Sequence, residues 1–247
     1  MKFSIIVCSK DRAELLCNGL LTLMFQDYDN DDYEIIVVDD GSNDDTESLV
    51  MDYMESFDNI RYFYLNREGY NSPAVPRNYG LSKAINEYCC FTDPEILVPK
   101  DMLMRHSEIH KNNNSSIVCT RPICLTKEES LDIISFSDWM NNLDQLHEDY
   151  PSLGNKELHK QEYNQKNWKD NHFSSFKKDS ALSIGGVNEN FDKWGFEGID
   201  FVERMIKSGM SLVNISWVYH LWHDAPRDMG LANKQRLEFG VDGCGES

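Results

Sequence analysis

Along the chain, short apolar runs alternate with longer amphipathic stretches. Phe3–Cys8 is a continuous apolar run, and so is Tyr33–Val38. Runs without polar alternation are how strands read when both faces of a parallel sheet are covered. Between them Leu15, Leu16, Leu20, Leu23 and Met24 recur at helical spacing. Asp11 and Glu14 stand where an N-cap and its partner three residues on would sit. The alternation repeats. Leu49, Val50, Tyr53, Met54 and Phe57 mark a second helix, and Ile60–Leu65 a third strand. After the turn-rich stretch Asn66–Pro76, a third helix carries Tyr79, Leu81, Ala84 and Ile85, and Tyr88–Thr92 is a fourth strand. Strand and helix alternating at this spacing predict an α/β fold with a doubly wound, mostly parallel central sheet flanked by helices. Its ligands belong beyond the carboxyl ends of the strands.

The second half changes character. A helix over Pro99–His110, with proline in its first turn, precedes a strand at Ile117–Cys119. Residues 125–172 are polar and weakly patterned. Amphipathic pieces at Leu131–Phe136 and Trp139–Leu146 predict helices there, and Asn155–Asn171 predicts a long binding loop. Phe173–Ile184 reads as a strand followed by a helix, and Gly185-Gly186-Val187-Asn188 as a turn. Phe201–Ser208 reads as a helix that Gly209 stops, with Asp200 at its start. Met210–Ile215 and Trp217–Leu221 read as two strands. The tail, Ala225–Ser247, is glycine-rich and charged, and is a candidate mobile lid.

Candidate chemistry gathers at the predicted strand ends: Cys8-Ser9, Asp39-Asp40 and Asp93-Pro94-Glu95. Two carboxylates one residue apart on a tight turn can converge on one hard cation and leave positions open for phosphate oxygens. Such a cation can draw charge from a diphosphate leaving group. Glycines flank Trp194, Phe196 and Glu197, so backbone can approach a ligand closely there. His220 and His223 lie just past the last apolar run.

Composition narrows the partners. The chain has 247 residues and a net charge of −18, which argues against nucleic acid and against docking on an anionic membrane by charge. No stretch reaches the ~18 apolar residues of a membrane span, and the N-terminal apolar run is too short for a signal peptide. Seven cysteines without a CxxC pair predict reduced thiols in a cytoplasmic protein. No G-x-G-x-x-G follows the first strand and no G-x-x-x-x-G-K-[ST] occurs, which excludes the usual dinucleotide and Walker-type phosphate sites.

Taken in order, the motifs resemble those of family 2 glycosyltransferases of the GT-A (Rossmann-like) fold. Ile35-Ile36-Val37-Val38-Asp39-Asp40-Gly41-Ser42 is similar to the family's VVDDGS segment, and Pro76-Arg77-Asn78-Tyr79-Gly80 to its ARNxG helix. Phe91-Thr92-Asp93-Pro94-Glu95 falls where the family has its DxD. Gly185-Gly186-Val187-Asn188-Glu189 and Trp194-Gly195-Phe196-Glu197 resemble the GGFDE…WGxED segment of the galactosyl- and N-acetylgalactosaminyltransferase-like branch.

The resemblance implies a single GT-A domain over 1–224, with a nucleotide-binding half (1–120) and an acceptor-binding half (121–224). It implies a metal-dependent enzyme that moves a hexose or N-acetylhexosamine from a UDP-sugar to a hydroxyl of a sugar or glycoconjugate, with inversion, in polysaccharide biosynthesis. Cys8, Ser9 and Asp40 would line the uracil and ribose pocket. Arg77, Asn78, Thr92 and Trp194 would help hold the donor. Asp93 would contact ribose, sugar or metal, and Glu95 would be the principal ligand of Mn²⁺ or Mg²⁺. His220 and His223 compete for a further ligand position, and a neutral imidazole favours Mn²⁺. Two departures matter. The acid pair ends in Glu95 rather than Asp, and Gly198 stands where the branch has the aspartate of Glu-Asp. The base is then Glu197 or Asp200. A retaining transferase and an inactive nucleotide-sugar-binding module are the rival readings.

Overall fold

The computed structural model describes residues 1–69, 72–135, 169, 172–193, 195–224 and 238–239. Trp194, the expected helix at Trp139–Leu146, the expected loop at Asn155–Asn171 apart from Lys169, and the expected lid apart from 238–239 lie outside the described residues.

The described elements, in chain order, are β1 (Phe3–Ser9), α1 (Ala13–Met24), β2 (Tyr33–Asp39), α2 (Thr46–Met54), β3 (Ile60–Tyr64), α3 (Ala74–Lys83), β4 (Tyr88–Thr92) and β5 (Ile96–Leu97). There follow α4 (Met102–Asn112), β6 (Ser116–Cys124), α5 (Lys127–Ser135), β7 (Phe173–Lys177), α6 (Lys178–Ser183), α7 (Glu197–Lys207) and β8 (Ser211–His220).

All eight strands join one sheet in the order β3-β2-β1-β4-β7-β6-β8-β5. β1 to β4 are parallel, as the alternation predicts. β7 runs antiparallel to both β4 and β6, β8 runs parallel to β6, and β5 pairs antiparallel with β8. Successive side chains of a strand face opposite sides of the sheet. Phe3, Ile5 and Val7 therefore pack with α1, α2 and α4, while Ile6 and Cys8 pack with α3, α6 and α7. Both layers bury β1 and β2 along their whole length.

Several sequence expectations are corrected. α1 begins at Ala13, and its first N–H is capped from across the site by Asp44 Oδ2 at 2.9 Å, not by Asp11. Asp11 has a positive φ of 50°. Its Oδ1 accepts from the Asn43 N–H at 2.7 Å, which clasps the loop after β1 to the loop after β2. α3 ends at Lys83 because Ala84 turns extended, so Ile85 leaves the helix and is exposed. α4 starts at Met102 rather than Pro99. The two strands expected at 210–221 are one strand, β8, whose register against β6 slips by one residue between Ile215 and Trp217. α7 starts at Glu197, so Asp200 lies inside its first turn.

Candidate functional site

The shortest strand does the most to assemble the site. Ile96 of β5 pairs with His220 at the end of β8, and the Leu221 N–H donates to the Glu95 carbonyl at 3.0 Å. This register sets Glu95 beside residues more than 120 positions away in sequence. Glu95, His220 and His223 each offer one ligand atom, and the three atoms lie within 4.8 Å of one another. His223 Nε2 is 3.0 Å and His220 Nε2 is 3.6 Å from Glu95 Oε1. The two imidazoles, set against each other in sequence as rivals, converge on the same carboxylate.

The group fits a divalent cation. Glu95 Oε2 and both ring nitrogens of His223 are buried and make no hydrogen bond, despite the short approach. Buried polar atoms are normally satisfied, and such orphans call for a ligand or ion. Burial pushes the His220 pKa down to about 4, with Glu95 acting against it. Its ring is therefore neutral at pH 7, with a lone pair to give. Burial alone would raise the Glu95 pKa; His223, His220 and Arg12 outweigh it and lower the value. A carboxylate with two imidazole ligands suits Mn²⁺ better than Mg²⁺.

Asp93 lies outside that cluster. Its Oδ1 accepts from Arg77 Nη2 at 2.8 Å, and its Oδ2 is 3.7 Å from His172 Nδ1. Burial acts to raise the Asp93 pKa, but Arg77 and His172 hold it well below the usual carboxylate range. Arg77, itself buried on α3, also donates through Nη1 to Glu197 Oε1 at 3.1 Å. Glu197 Oε2 accepts the Gly195 N–H at 2.9 Å. Phe196, the residue before it, is held at φ 67°, a left-handed conformation that non-glycine residues rarely adopt. Asp200 faces elsewhere, with its Oδ2 accepting from Arg204 Nε at 2.8 Å.

The remaining site candidates divide in two. Cys8, Ser9 and Asp40 sit together at the carboxyl ends of β1 and β2. The Cys8 thiol is raised by burial and stays protonated, and Ser9 Oγ is buried without a hydrogen-bond partner. Asp40 Oδ1 accepts from Arg67 Nη1 at 2.7 Å, while burial still raises its pKa. Lys10 Nζ laces the same corner by donating to the carbonyls of Asp40, Gly41 and Arg67. Gly41 is required here: φ is +85°, and a Cβ would strike the Arg67 carbonyl. A cavity of about 430 Å³ beside this corner is bounded by Lys10, Arg12, Asp44 and His223, among others. Asn78 and Thr92 are engaged in the framework. The Asn78 amide bonds Val187 N–H and carbonyl, each at 2.8 Å, and also Glu189. Thr92 Oγ1 donates to the His172 carbonyl at 2.8 Å.

Sequence reasoning missed three contributors. His172 stands between Asp93 and His220, its ring edge-on to His220 at 5.5 Å. Arg67 pairs with Asp40. Arg12 Nη1 reaches to 3.8 Å from Glu95 Oε2. Arg12 follows the first strand end directly and was open to inference as a cation beside an acid cluster; His172 and Arg67 carry no motif.

One mixed eight-stranded sheet flanked by helices, with its parallel β1–β4 half extended through the antiparallel β7, is the GT-A fold. A Glycosyl transferase family 2 model matches residues 4–181, and a model of the N-terminal domain of galactosyltransferase matches residues 163–224. The chain belongs to glycosyl transferase family 2. It is 27% identical over 228 residues to chondroitin synthase of Escherichia coli, covering 83% of this chain and 32% of that protein. The chain spans less than a third of the length of the curated relatives it matches. Among solved structures, S. aureus TarS 1–349 in complex with UDP-GlcNAc aligns with a TM-score of 0.66 at 14% identity, covering 91% of this chain and 60% of that one. The mannosyltransferase PcManGT of Pyrobaculum calidifontis, in complex with GDP-Man and Mn²⁺, aligns with a TM-score of 0.63 at 18% identity, covering 91% and 58%. No helix among the described residues is long and apolar enough to cross a membrane.

Proposed function

We propose that this chain transfers a hexose or N-acetylhexosamine from a UDP-sugar to an acceptor hydroxyl of a sugar or glycoconjugate, with a divalent metal, Mn²⁺ in preference to Mg²⁺, and with inversion at the anomeric carbon. The observation that carries the reading is the convergence of Glu95, His220 and His223 within 4.8 Å, beyond the carboxyl ends of the strands, where α/β sheets take their ligands. Support for the uridine donor comes from the UDP-GlcNAc complex of the structural relative, and support for the transferase class from the family model.

Glu95, His220 and His223 hold the cation. When bound, it offsets negative charge on a departing diphosphate. Cys8, Ser9 and Asp40 form the base and ribose corner, where Asp40 accepts from the uracil N–H. Arg77 fixes two carboxylates with one guanidinium: it keeps Asp93 ionised toward the donor and aims Glu197 toward the acceptor. Glu197 accepts the proton of the attacking hydroxyl. Its Oε1 accepts from Arg77 and its Oε2 from the Gly195 N–H, which fixes the carboxylate in place. Asp200, bonded to Arg204, is the weaker candidate.

Incubation with a panel of UDP-sugars and simple sugar acceptors, read by proton NMR, tests the reading. Turnover of a UDP-sugar to a product of opposite anomeric configuration is expected, with loss of turnover in Glu197→Gln. A product with the donor's configuration would replace inversion by retention. Donor binding without turnover across the panel would replace the enzyme by a binding module.

A further inference from the structure

The rim of the site carries a feature that the donor chemistry leaves unused. Trp222 stands between the two histidines in sequence, yet it is 37% exposed while His220 is buried. Its backbone is firmly placed: the Trp222 N–H donates to Ser130 Oγ at 2.8 Å, and the Leu125 N–H donates to the His220 carbonyl at 3.0 Å. A reciprocal cap pins the start of α5, with the Thr126 N–H on Glu129 Oε2 at 2.8 Å and the Glu129 N–H on Thr126 Oγ1 at 3.2 Å. The first turn of α5 and the 220–223 segment are thus one fixed unit. From that turn Lys127 sets its ammonium 5.0 Å from the indole centroid. Leu131, one turn further on the same helix face, is also exposed.

Two physical points follow. An indole and a leucine left in water beside a site for sugars offer an apolar surface to the C–H face of a ring or polyol. The ammonium is held by the ring's π face rather than by an acid, so its charge is not neutralised. Among the described residues no carboxylate pairs with Lys127, in a chain where 42 Asp and Glu outnumber 24 Lys and Arg. We propose that Trp222, Lys127 and Leu131 form an acceptor subsite for a sugar or polyol bearing a negative charge, a phosphate or a carboxylate. The inference rests on the transferase reading above and specifies its acceptor class.

The test uses the protein with UDP and Mg²⁺, a diamagnetic choice that keeps nearby signals sharp. Ribitol 5-phosphate and glucuronic acid are titrated against ribitol and glucose, followed by the indole N–H signals in proton–nitrogen spectra. A Trp222→Phe variant assigns the Trp222 signal. The charged probes are expected to move that signal and to bind roughly two- to fivefold more tightly than their neutral counterparts, the size of an exposed ion pair. Lys127→Met and Lys127→Gln should erase the preference, and Lys127→Arg should keep it. A response to one charged probe alone identifies which anion the subsite takes. Equal affinity for charged and neutral probes, a preference that survives Lys127→Met, or no shift with any probe would overturn the subsite. Probe binding in a protein that fails to bind UDP would overturn the donor reading and leave the subsite standing.

Discussion

Arg77 is the residue on which the two acids of the site depend. Its guanidinium joins Asp93 and Glu197 from inside the protein, at 2.8 and 3.1 Å. Breaking a buried pair from one side costs about 3–5 kcal/mol. Arg77→Met should therefore lower unfolding free energy by an amount of that order in chemical denaturation, and a loss below about 1 kcal/mol, the size of a surface pair, would contradict the account. A second residue-scale prediction concerns His106 and His110. Both share the Ser175 hydroxyl, at 2.6 and 2.7 Å, between α4 and β7. Burial lowers their pKa values to about 3 and about 4, from an ordinary 6.5. Both are neutral in the fold, and the unfolded chain takes up protons first. Stability is thus complete above pH 6.5 and falls as pH drops toward 4. Down to pH 5 each histidine should cost about 2 kcal/mol. Denaturation at pH 7.5 and pH 5 measures this, and His106→Leu should show a visibly flatter dependence than wild type. Equal slopes would refute the assignment.

At the scale of elements, the site is aimed by a close approach between α1 and the turn after β4. Gly19 lies in α1, and a Cβ there would run into the carbonyl of Pro94, between the two site acids. Backbone cannot yield as a flexible side chain does. Gly19→Ala should displace the turn, weaken Mn²⁺ binding severalfold and cost about 1–3 kcal/mol by overpacking. Unchanged Mn²⁺ affinity in calorimetry would show that the turn is not seated on α1 as described. The first four strands and their helices were legible from the sequence, since continuous apolar runs and helical spacing report directly on burial. The direction of β7 was not, because antiparallel insertion depends on how the chain returns to the sheet, which composition does not encode. The same limit explains β8: a one-residue slip against β6 interrupts the pattern and makes one strand read as two. Within the site, Glu95, His220 and His223 were legible as residue types at strand ends. Their meeting was not, because it depends on the register of a two-residue strand. His172 belongs to no motif, and only its position beside Asp93 and His220 marks it.

For the molecule as a whole, the proposed cation site would tie the middle of the chain to its later part. Glu95 precedes the edge strand β5, His220 ends its partner β8 and His223 follows it, so an ion bound by the three should stabilise the folded state over the unfolded one. The gain follows mass action and reaches about 2.7 kcal/mol at a metal concentration of 100 times Kd. Mn²⁺ should therefore raise the Tm of wild type and leave that of Glu95→Ala nearly unchanged. An equal rise in both proteins would mean that the ion binds elsewhere on a surface of net charge −18. The central claim is that this metal site serves a uridine nucleotide, and calorimetric titration of UDP, with and without Mn²⁺, on wild type and Glu95→Ala, tests it most directly. The account predicts tight binding only for wild type with Mn²⁺. Binding of UDP that ignores both the metal and the Glu95 substitution, or no binding in any of the four conditions, would contradict it.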